Sequence, residues 1–78
     1  MTRDKRLDLA LSARINAEPY FASEWLAARN LLRHATFGAD LVRFPGGRVV
    51  RGPACRCQGS VRCLHAMGWL LYAGEKTA

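Results

Sequence analysis

All three cysteines of this chain lie within nine residues of one another, and a histidine follows two positions after the last of them. Cys55, Cys57, Cys63 and His65 are spaced C-x-C-x5-C-x-H. Three thiolates and one imidazole form a complete tetrahedral ligand set for Zn2+. Because side chains would fill all four positions and leave none for water, the pattern predicts one structural zinc ion rather than a catalytic one.

The length of the chain gives such an ion a physical purpose. A chain of 78 residues predicts a single domain whose core buries only a limited fraction of its surface. Half of the residues are hydrophobic, which favours a folded chain over a disordered one. Domains of this size commonly need a metal, disulfides or a partner in addition to their core. Apparent zinc-binding free energies of about 10–16 kcal/mol match the whole stability of a small domain.

Three other interpretations of the cysteines stay open from the sequence. A disulfide would leave one thiol unpaired, and the odd cysteine count argues against it. An iron–sulfur cluster is disfavoured by the tight spacing. A redox-active or nucleophilic Cys–His pair would lack an orienting acid, because no Asp or Glu lies between residues 41 and 74.

Periodicity predicts two helices ahead of the cysteines. The first runs from residue 3 to about residue 14, with Leu7, Leu11 and Ile15 at helical spacing. The second runs from residue 19 or 23 to about residue 35, and Gly38 is expected to terminate it. Its apolar stripe is Phe21, Trp25, Ala28, Leu32 and Ala35, and its polar positions, mostly on other faces, are Glu24, Arg29, Asn30 and Arg33.

A hairpin and a third helix complete the predicted fold. Residues 40–44 and 48–51 alternate like strands and are joined by Pro45-Gly46-Gly47. The last helix is expected from residue 61 or 64 to residue 72 or 73, with Gly74 ending it. Its inward side is predicted to comprise Leu64, Met67, Leu70 and Leu71. The fold class is thus α+β: a helical front (1–39) packed on a ββα zinc-finger unit (40–74), with a tail at 75–78.

The cysteine pattern and its flanks resemble a SWIM-type zinc finger, defined by C-x-C-xn-C-x-H between a β-hairpin and an apolar helix. The matching pieces here are Cys55-Arg56-Cys57, Cys63-Leu64-His65 and the apolar residues 66–71. The resemblance implies that these three cysteines and His65 bind zinc, and that residues 40–74 form a ββα fold. Family members occur in chromatin-remodelling ATPases, transposases and small bacterial or phage proteins, where the module is thought to contact DNA or other proteins.

Positive charge is concentrated around the cysteines. Residues 1–40 carry six bases and five acids, whereas residues 41–74 carry five bases and no acid. A patch of one sign attracts polyanions or an acidic protein surface, although a plain solvated surface would have the same composition. The predicted nucleic-acid-binding residues are Arg43, Arg48, Arg51, Arg56 and Arg62.

Two functions follow from this charge pattern. The first is a nucleic-acid-binding zinc module, with DNA favoured over RNA, whose guanidinium groups contact phosphates. The alternative is a zinc-stabilised adapter or inhibitor, such as a phage- or plasmid-encoded one, that binds an acidic protein surface of a nucleoprotein machine. Catalysis is not expected, because no paired carboxylates, phosphate-binding loop or catalytic triad spacing is present.

The remaining expectations concern location and individual side chains. No apolar run is long enough to span a bilayer and no apolar segment follows the basic N-terminus, so we expect a cytoplasmic chain with no membrane partner and no small-molecule substrate. His34 is expected to be structural, in the last turn of the second helix. Trp25 and Phe21 fit the core, whereas Trp69 lies off the inward face of its helix and is a candidate for exposure.

Overall fold

The structure is a computed structural model that describes residues 2–52 and 63–77, with the side chains of the last helix described as far as Glu75. Two helices come first, a small antiparallel sheet follows, and a third helix comes last, so the predicted α+β class is confirmed. Single 3-10 turns precede and follow the second helix, at Pro19–Phe21 and Leu32–His34. The elements are α1 (Arg3–Ala17), α2 (Ala22–Leu31), β1 (Thr36–Phe37), β2 (Val42–Arg43), β3 (Val49–Val50) and α3 (Leu64–Thr77).

Helix α1 begins where the sequence predicts and continues three residues beyond the predicted end. The Thr2 side chain caps it by accepting a hydrogen bond from the Lys5 backbone N–H at 3.3 Å. Asp4 in the first turn complements the positive end of the helix dipole. Pro19 then opens the next turn, because its ring disfavours helical geometry in the residue before it.

Helix α2 buries most of its predicted stripe. Trp25, Ala28 and Leu32 are buried, and Phe21 and Ala35 pack partly buried against the core. Arg29 departs from the expectation that it lies mostly on another face, since only 3% of it is exposed. Four residues after Trp25, it shares the inward face of the helix, and carboxylates from α1 neutralise its charge there.

The predicted hairpin is present with shorter strands than expected. Strands β2 and β3 pair antiparallel, and the turn closes with the Phe44 N–H donating to the Arg48 carbonyl at 2.7 Å. Gly46 and Gly47 have φ of 92° and 93°, a conformation that favours glycine.

One strand was not predicted at all. Strand β1 pairs with β2, so the sheet has the order β1-β2-β3. The prediction that Gly38 terminates the second helix is wrong, because the helical segment already ends at His34 and β1 intervenes. Gly38 instead closes the β1–β2 turn, where its N–H donates to the Leu41 carbonyl at 2.9 Å. A Cβ on Gly38 would lie 2.8 Å from the Leu41 side chain, so a larger residue there would force that side chain to move.

Helix α3 crosses the other elements and extends past Gly74, which was predicted to end it. A Cβ built on Gly74 would meet the Ala10 Cβ at 3.4 Å, an ordinary van der Waals contact, so this position lies where α3 packs against α1. One residue later Glu75 is buried and accepts a hydrogen bond from Arg6 at 2.8 Å. The predicted inward side is confirmed: Met67 and Leu71 are buried, and Leu64 and Leu70 pack partly buried against the core.

Two aromatic side chains of α3 form hydrogen bonds with the turn between β1 and β2. The Trp69 indole N–H donates to the Asp40 carbonyl at 2.9 Å, and the Tyr72 hydroxyl donates to the Gly38 carbonyl. Trp69 is partly buried against the core, and this hydrogen bond also gives it a structural role. The core therefore contains residues from all three helices and the hairpin: Leu7, Trp25, Ala28, Leu32, Val42, Phe44, Val50, Met67, Leu71 and Tyr72.

Candidate metal centre and basic surface

Two of the four predicted zinc ligands, Cys63 and His65, lie in the described part of the chain. The Cys63 Sγ and the His65 Nδ1 are 3.6 Å apart, and Cys63 is only 5% exposed. Two ligands at a tetrahedral angle, with bonds of about 2.3 Å from zinc to sulfur and about 2.0–2.1 Å from zinc to nitrogen, are about 3.6 Å apart. The pair therefore has the separation that a shared tetrahedral ion requires.

The beginning of α3 gives this pair a favourable electrostatic environment. The Cys63 carbonyl accepts the helical hydrogen bond from the Met67 N–H at 3.0 Å, which places Cys63 just ahead of the first turn. His65 follows within that turn. The positive end of the helix dipole stabilises an anionic thiolate at this position, and the thiolate is the form that binds a metal.

The hairpin positions the imidazole of His65. The Phe44 ring contacts it edge to face, with centroids 4.8 Å apart at 73°. Phe44 is itself buried and lies over Gly68, where a Cβ would approach the ring to 3.0 Å. Because residue 68 is glycine, the hairpin can pack closely against α3 beside His65, the proposed ligand. Residue types alone did not identify Phe44 as a support for His65.

The other two predicted ligands, Cys55 and Cys57, lie outside the described residues. Within residues 2–52 and 63–77, no group of three or more His, Cys, Asp or Glu side chains is placed to hold a metal ion. The zinc site stays a prediction, and the 3.6 Å contact of Cys63 with His65, which is also a hydrogen-bond distance for sulfur, is compatible with it.

The described basic residues of the hairpin are exposed. Side chains alternate along β2, where Val42 is buried and Arg43 exposed, and the buried Phe44 follows. Arg43 has Thr36 and Val49 as its partners on the neighbouring strands, and both are exposed. Since partners across a sheet project to the same side, Arg43 lies at the centre of the outer face.

Two further arginines flank this face, and Arg48 lies opposite the buried Phe44 rather than opposite an outward residue. Arg48 follows the turn and Arg51 follows β3, and both are exposed. Within the described residues, Arg43, Arg48 and Arg51 form no ion pair. Arg56 and Arg62, the other two predicted contacts, lie outside the described part of the chain.

Four of the six acidic residues, by contrast, form hydrogen bonds with side chains of the helices. Arg29 donates from Nε to Asp8 at 2.9 Å and from Nη2 to Asp4 at 3.5 Å, while its Nη1 is buried with no hydrogen-bond partner among the described residues. Two other carboxylates accept hydrogen bonds from side chains, namely Glu75 from Arg6 at 2.8 Å and Glu18 from the Trp25 indole at 3.3 Å. Among the described residues, none of these carboxylates pairs with a hairpin arginine.

Other predicted side chains have structural surroundings. His34 is exposed in the 3-10 turn that ends the α2 segment, as its place in the sequence indicated. Trp25 is 1% exposed and confirmed as core, with the Arg14 guanidinium 5.2 Å from its ring centroid. Neither tryptophan is therefore placed to stack on a nucleobase.

Comparison with known proteins adds no assignment to this geometry. The chain matches no family model, and searches of curated proteins and of solved structures find no significant similarity. Within the described ranges, no helix combines the length and apolar character needed to traverse a bilayer.

Proposed function

We propose that this protein is a small basic module, stabilised by one structural zinc ion, that binds nucleic acid through its hairpin. DNA is the favoured ligand. Cys55, Cys57, Cys63 and His65 would hold the ion, and the hairpin arginines would contact phosphates. The ion would supply a cross-link between the segment that follows the hairpin and the start of α3.

The observation that carries the proposal is the unneutralised outer surface of the hairpin. Arg43, Arg48 and Arg51 are exposed and make no ion pair among the described residues, although the chain contains acids that pair elsewhere. A guanidinium group presents five donors in a planar fork that matches phosphate oxygens. Phosphate contacts of this kind give affinity without base specificity, so the proposal concerns binding and not a sequence preference.

The resemblance of the cysteine pattern to SWIM-type zinc fingers supports the same proposal, because that module is thought to contact DNA or other proteins. The separation of Cys63 Sγ and His65 Nδ1 supports the metal part. Both ligands come from one end of α3, and Phe44 links that end to the hairpin. The proposed zinc site would thus stabilise the surface that carries the arginines.

The binding test measures affinity for a short DNA duplex by fluorescence anisotropy between about 50 and 200 mM salt. We expect the affinity of the wild-type chain to fall steeply with salt. Changing Arg43, Arg48 and Arg51 together to Gln should make the slope of log K against log salt shallower by about 2.7, at roughly 0.9 for each phosphate contact.

Arg33→Gln is the matched control for the hairpin variant. Arg33 is exposed and hydrogen-bonded to Asn30 in the helical part of the chain. This variant should keep nearly the wild-type slope, because it removes a charge outside the proposed surface. Absence of binding at about 50 mM salt, or binding that salt does not weaken, would refute the proposal.

A second candidate function, that of a protein-binding adapter or inhibitor, is favoured by one observation. Three large apolar side chains of the helical part are exposed: Leu9 by 52%, Tyr20 by 74% and Leu26 by 49%. A tagged chain recovered from nuclease-treated lysate separates the two functions. A stoichiometric protein partner that survives nuclease and is lost in Tyr20→Ser and Leu26→Ser supports the adapter, and recovery of nucleic acid alone in untreated lysate supports the first proposal.

A further inference from the structure

Tertiary structure brings one base of the N-terminal helix to the sheet. The Arg3 guanidinium carbon lies 4.7 Å from the centroid of the Phe37 ring. On strand β1, Phe37 also packs against the Tyr72 ring of α3, with centroids 4.8 Å apart. A guanidinium in this position is attracted by the ring quadrupole and is held on a rigid aromatic support.

The stability of α1 does not explain the position of Arg3. Arg3 is the first residue of the helix, where a positive charge interacts unfavourably with the helix dipole. It is exposed, and within the described residues it forms no ion pair. The Arg3 guanidinium makes no hydrogen bond among the described residues, so its N–H donors are available for an anion.

The position of Phe37 connects Arg3 to the hairpin surface. Phe37 lies on the edge strand and pairs with Val42, and its chain neighbour Thr36 pairs with Arg43. A single strand therefore separates the base that α1 contributes from the base at the centre of the outer face. Because Phe37 pairs with the buried Val42, its ring lies on the inner side of the sheet, so Arg3 reaches the β1 edge from the side opposite to Arg43.

We propose that Arg3, held against Phe37, is a phosphate-contacting residue of the nucleic-acid surface, so that a bound DNA backbone extends from the hairpin past the β1 edge. This inference rests on the proposed function and adds a residue from the helical front. Because Phe37 already restricts the side chain, little further conformational entropy is lost when a phosphate binds.

The test uses the full chain, loaded with Zn2+, and the same DNA duplex and salt range as above. Arg3→Gln should make the salt slope shallower by about 0.9. Lys5→Gln is the matched control, since it removes one exposed charge from the same end of α1 without an aromatic support. We expect it to change the slope by less than half as much.

Phe37→Leu separates the support from the charge. It retains every base but removes the ring, so affinity should fall roughly two- to tenfold, the entropic effect of one side chain that is no longer held in place. Arg3→Lys should keep the salt slope and lose part of the affinity, because an ammonium lacks the planar fork. Circular dichroism melting of each variant verifies that it is folded.

The outcomes distinguish this inference from the function on which it rests. If Arg3→Gln matches Lys5→Gln while the triple hairpin variant loses its salt slope, the role of Arg3 is refuted and the hairpin surface stands. Wild-type affinity and slope in both Arg3→Gln and Phe37→Leu would refute it equally. If the wild-type chain binds no DNA at about 50 mM salt, the proposed function fails and the inference with it.

Discussion

The helical front and the hairpin treat their charges in opposite ways. In the front, only 3% of Arg29 is exposed, and two carboxylates of α1 neutralise its charge. In the hairpin, Arg43, Arg48 and Arg51 are exposed and have no carboxylate partner among the described residues. The buried charge of the front thus contributes to internal structure, whereas the described charges of the hairpin are exposed to solvent.

The two regions also differ in how much structure they build by themselves. Helices α1 and α2 have 15 and 10 residues and bury Leu7, Trp25 and Ala28. Each strand of the sheet has two residues, and isolated hairpins are marginal in water. The hairpin therefore depends on α3 and, in our proposal, on the zinc ion beside it.

The largest expected effect is loss of the metal. His65→Ala should abolish stoichiometric zinc and lower the free energy of unfolding by roughly 5 kcal/mol or more, because a whole site of this type binds with about 10–16 kcal/mol. Elemental analysis and chemical denaturation measure the two quantities. His34→Ala removes the exposed histidine of the front and should keep both at wild-type values. Wild-type protein that carries no zinc after reduction and metal loading would contradict the zinc site.

A core truncation in the front should have the next largest effect. Leu7 is 1% exposed, so Leu7→Ala should lower the free energy of unfolding by about 2–5 kcal/mol through lost burial and the cavity left behind. Leu9→Ala on the same helix should stay within about 0.5 kcal/mol, since Leu9 is 52% exposed. Denaturant melts of zinc-loaded protein give both values. A similar cost for the two variants would mean that α1 packs differently from the structure.

The buried charge of the front predicts a smaller effect. Asp8→Asn should lower the free energy of unfolding by about 1–3 kcal/mol, because the neutral amide carries no charge and Arg29 then keeps only the longer ion pair with Asp4. The effect is limited because the Asp8 side chain is 61% exposed and water can partly replace it. Asp40→Asn, at an exposed position next to the sheet, should change stability by less than about 0.5 kcal/mol. Equal values for the two variants would remove the contrast between paired and unpaired charge.

Two glycines of α3 give the finest comparison. Gly68→Ala should lower stability by about 1–2 kcal/mol, because its Cβ would lie 3.0 Å from the buried Phe44 ring and overpacking outweighs the gain in helix propensity. Gly74→Ala should raise stability by roughly 0.5 kcal/mol, because its Cβ would meet Ala10 at an ordinary 3.4 Å and helix propensity dominates. Thermal melts with zinc present measure both. The two substitutions should change stability in opposite directions. A stabilising Gly68→Ala would contradict the packing of Phe44 against α3.

The sequence predicted the three helices and the hairpin because each has a local signal. Spacing of Leu7, Leu11 and Ile15 identifies α1, and Gly46-Gly47 identifies the turn. It did not predict β1, because a strand of two residues has too few positions to show alternation. It also misplaced the end of α3, because glycine ends many helices, whereas this helix continues past Gly74, where it packs against α1.

For the candidate site, the sequence identified the ligand types and spacing, while their support came from contacts between distant segments. The C-x-C-x5-C-x-H pattern is local and needs no fold to be read. The contact of Phe44 with His65 joins residues 21 positions apart in the sequence, and no periodic pattern encodes it.

The sequence alone determined the helical periodicity, the cysteine–histidine spacing and the excess of positive charge after residue 40, because these depend on residues near one another along the chain. Only the tertiary structure decided which charges remain available. It buried Arg29 between two acids and placed Arg3 of α1 against Phe37 beside the sheet. Ion pairs and ring contacts form between side chains that packing brings together. The net charge of a segment therefore does not show which of its charged side chains are exposed and unpaired.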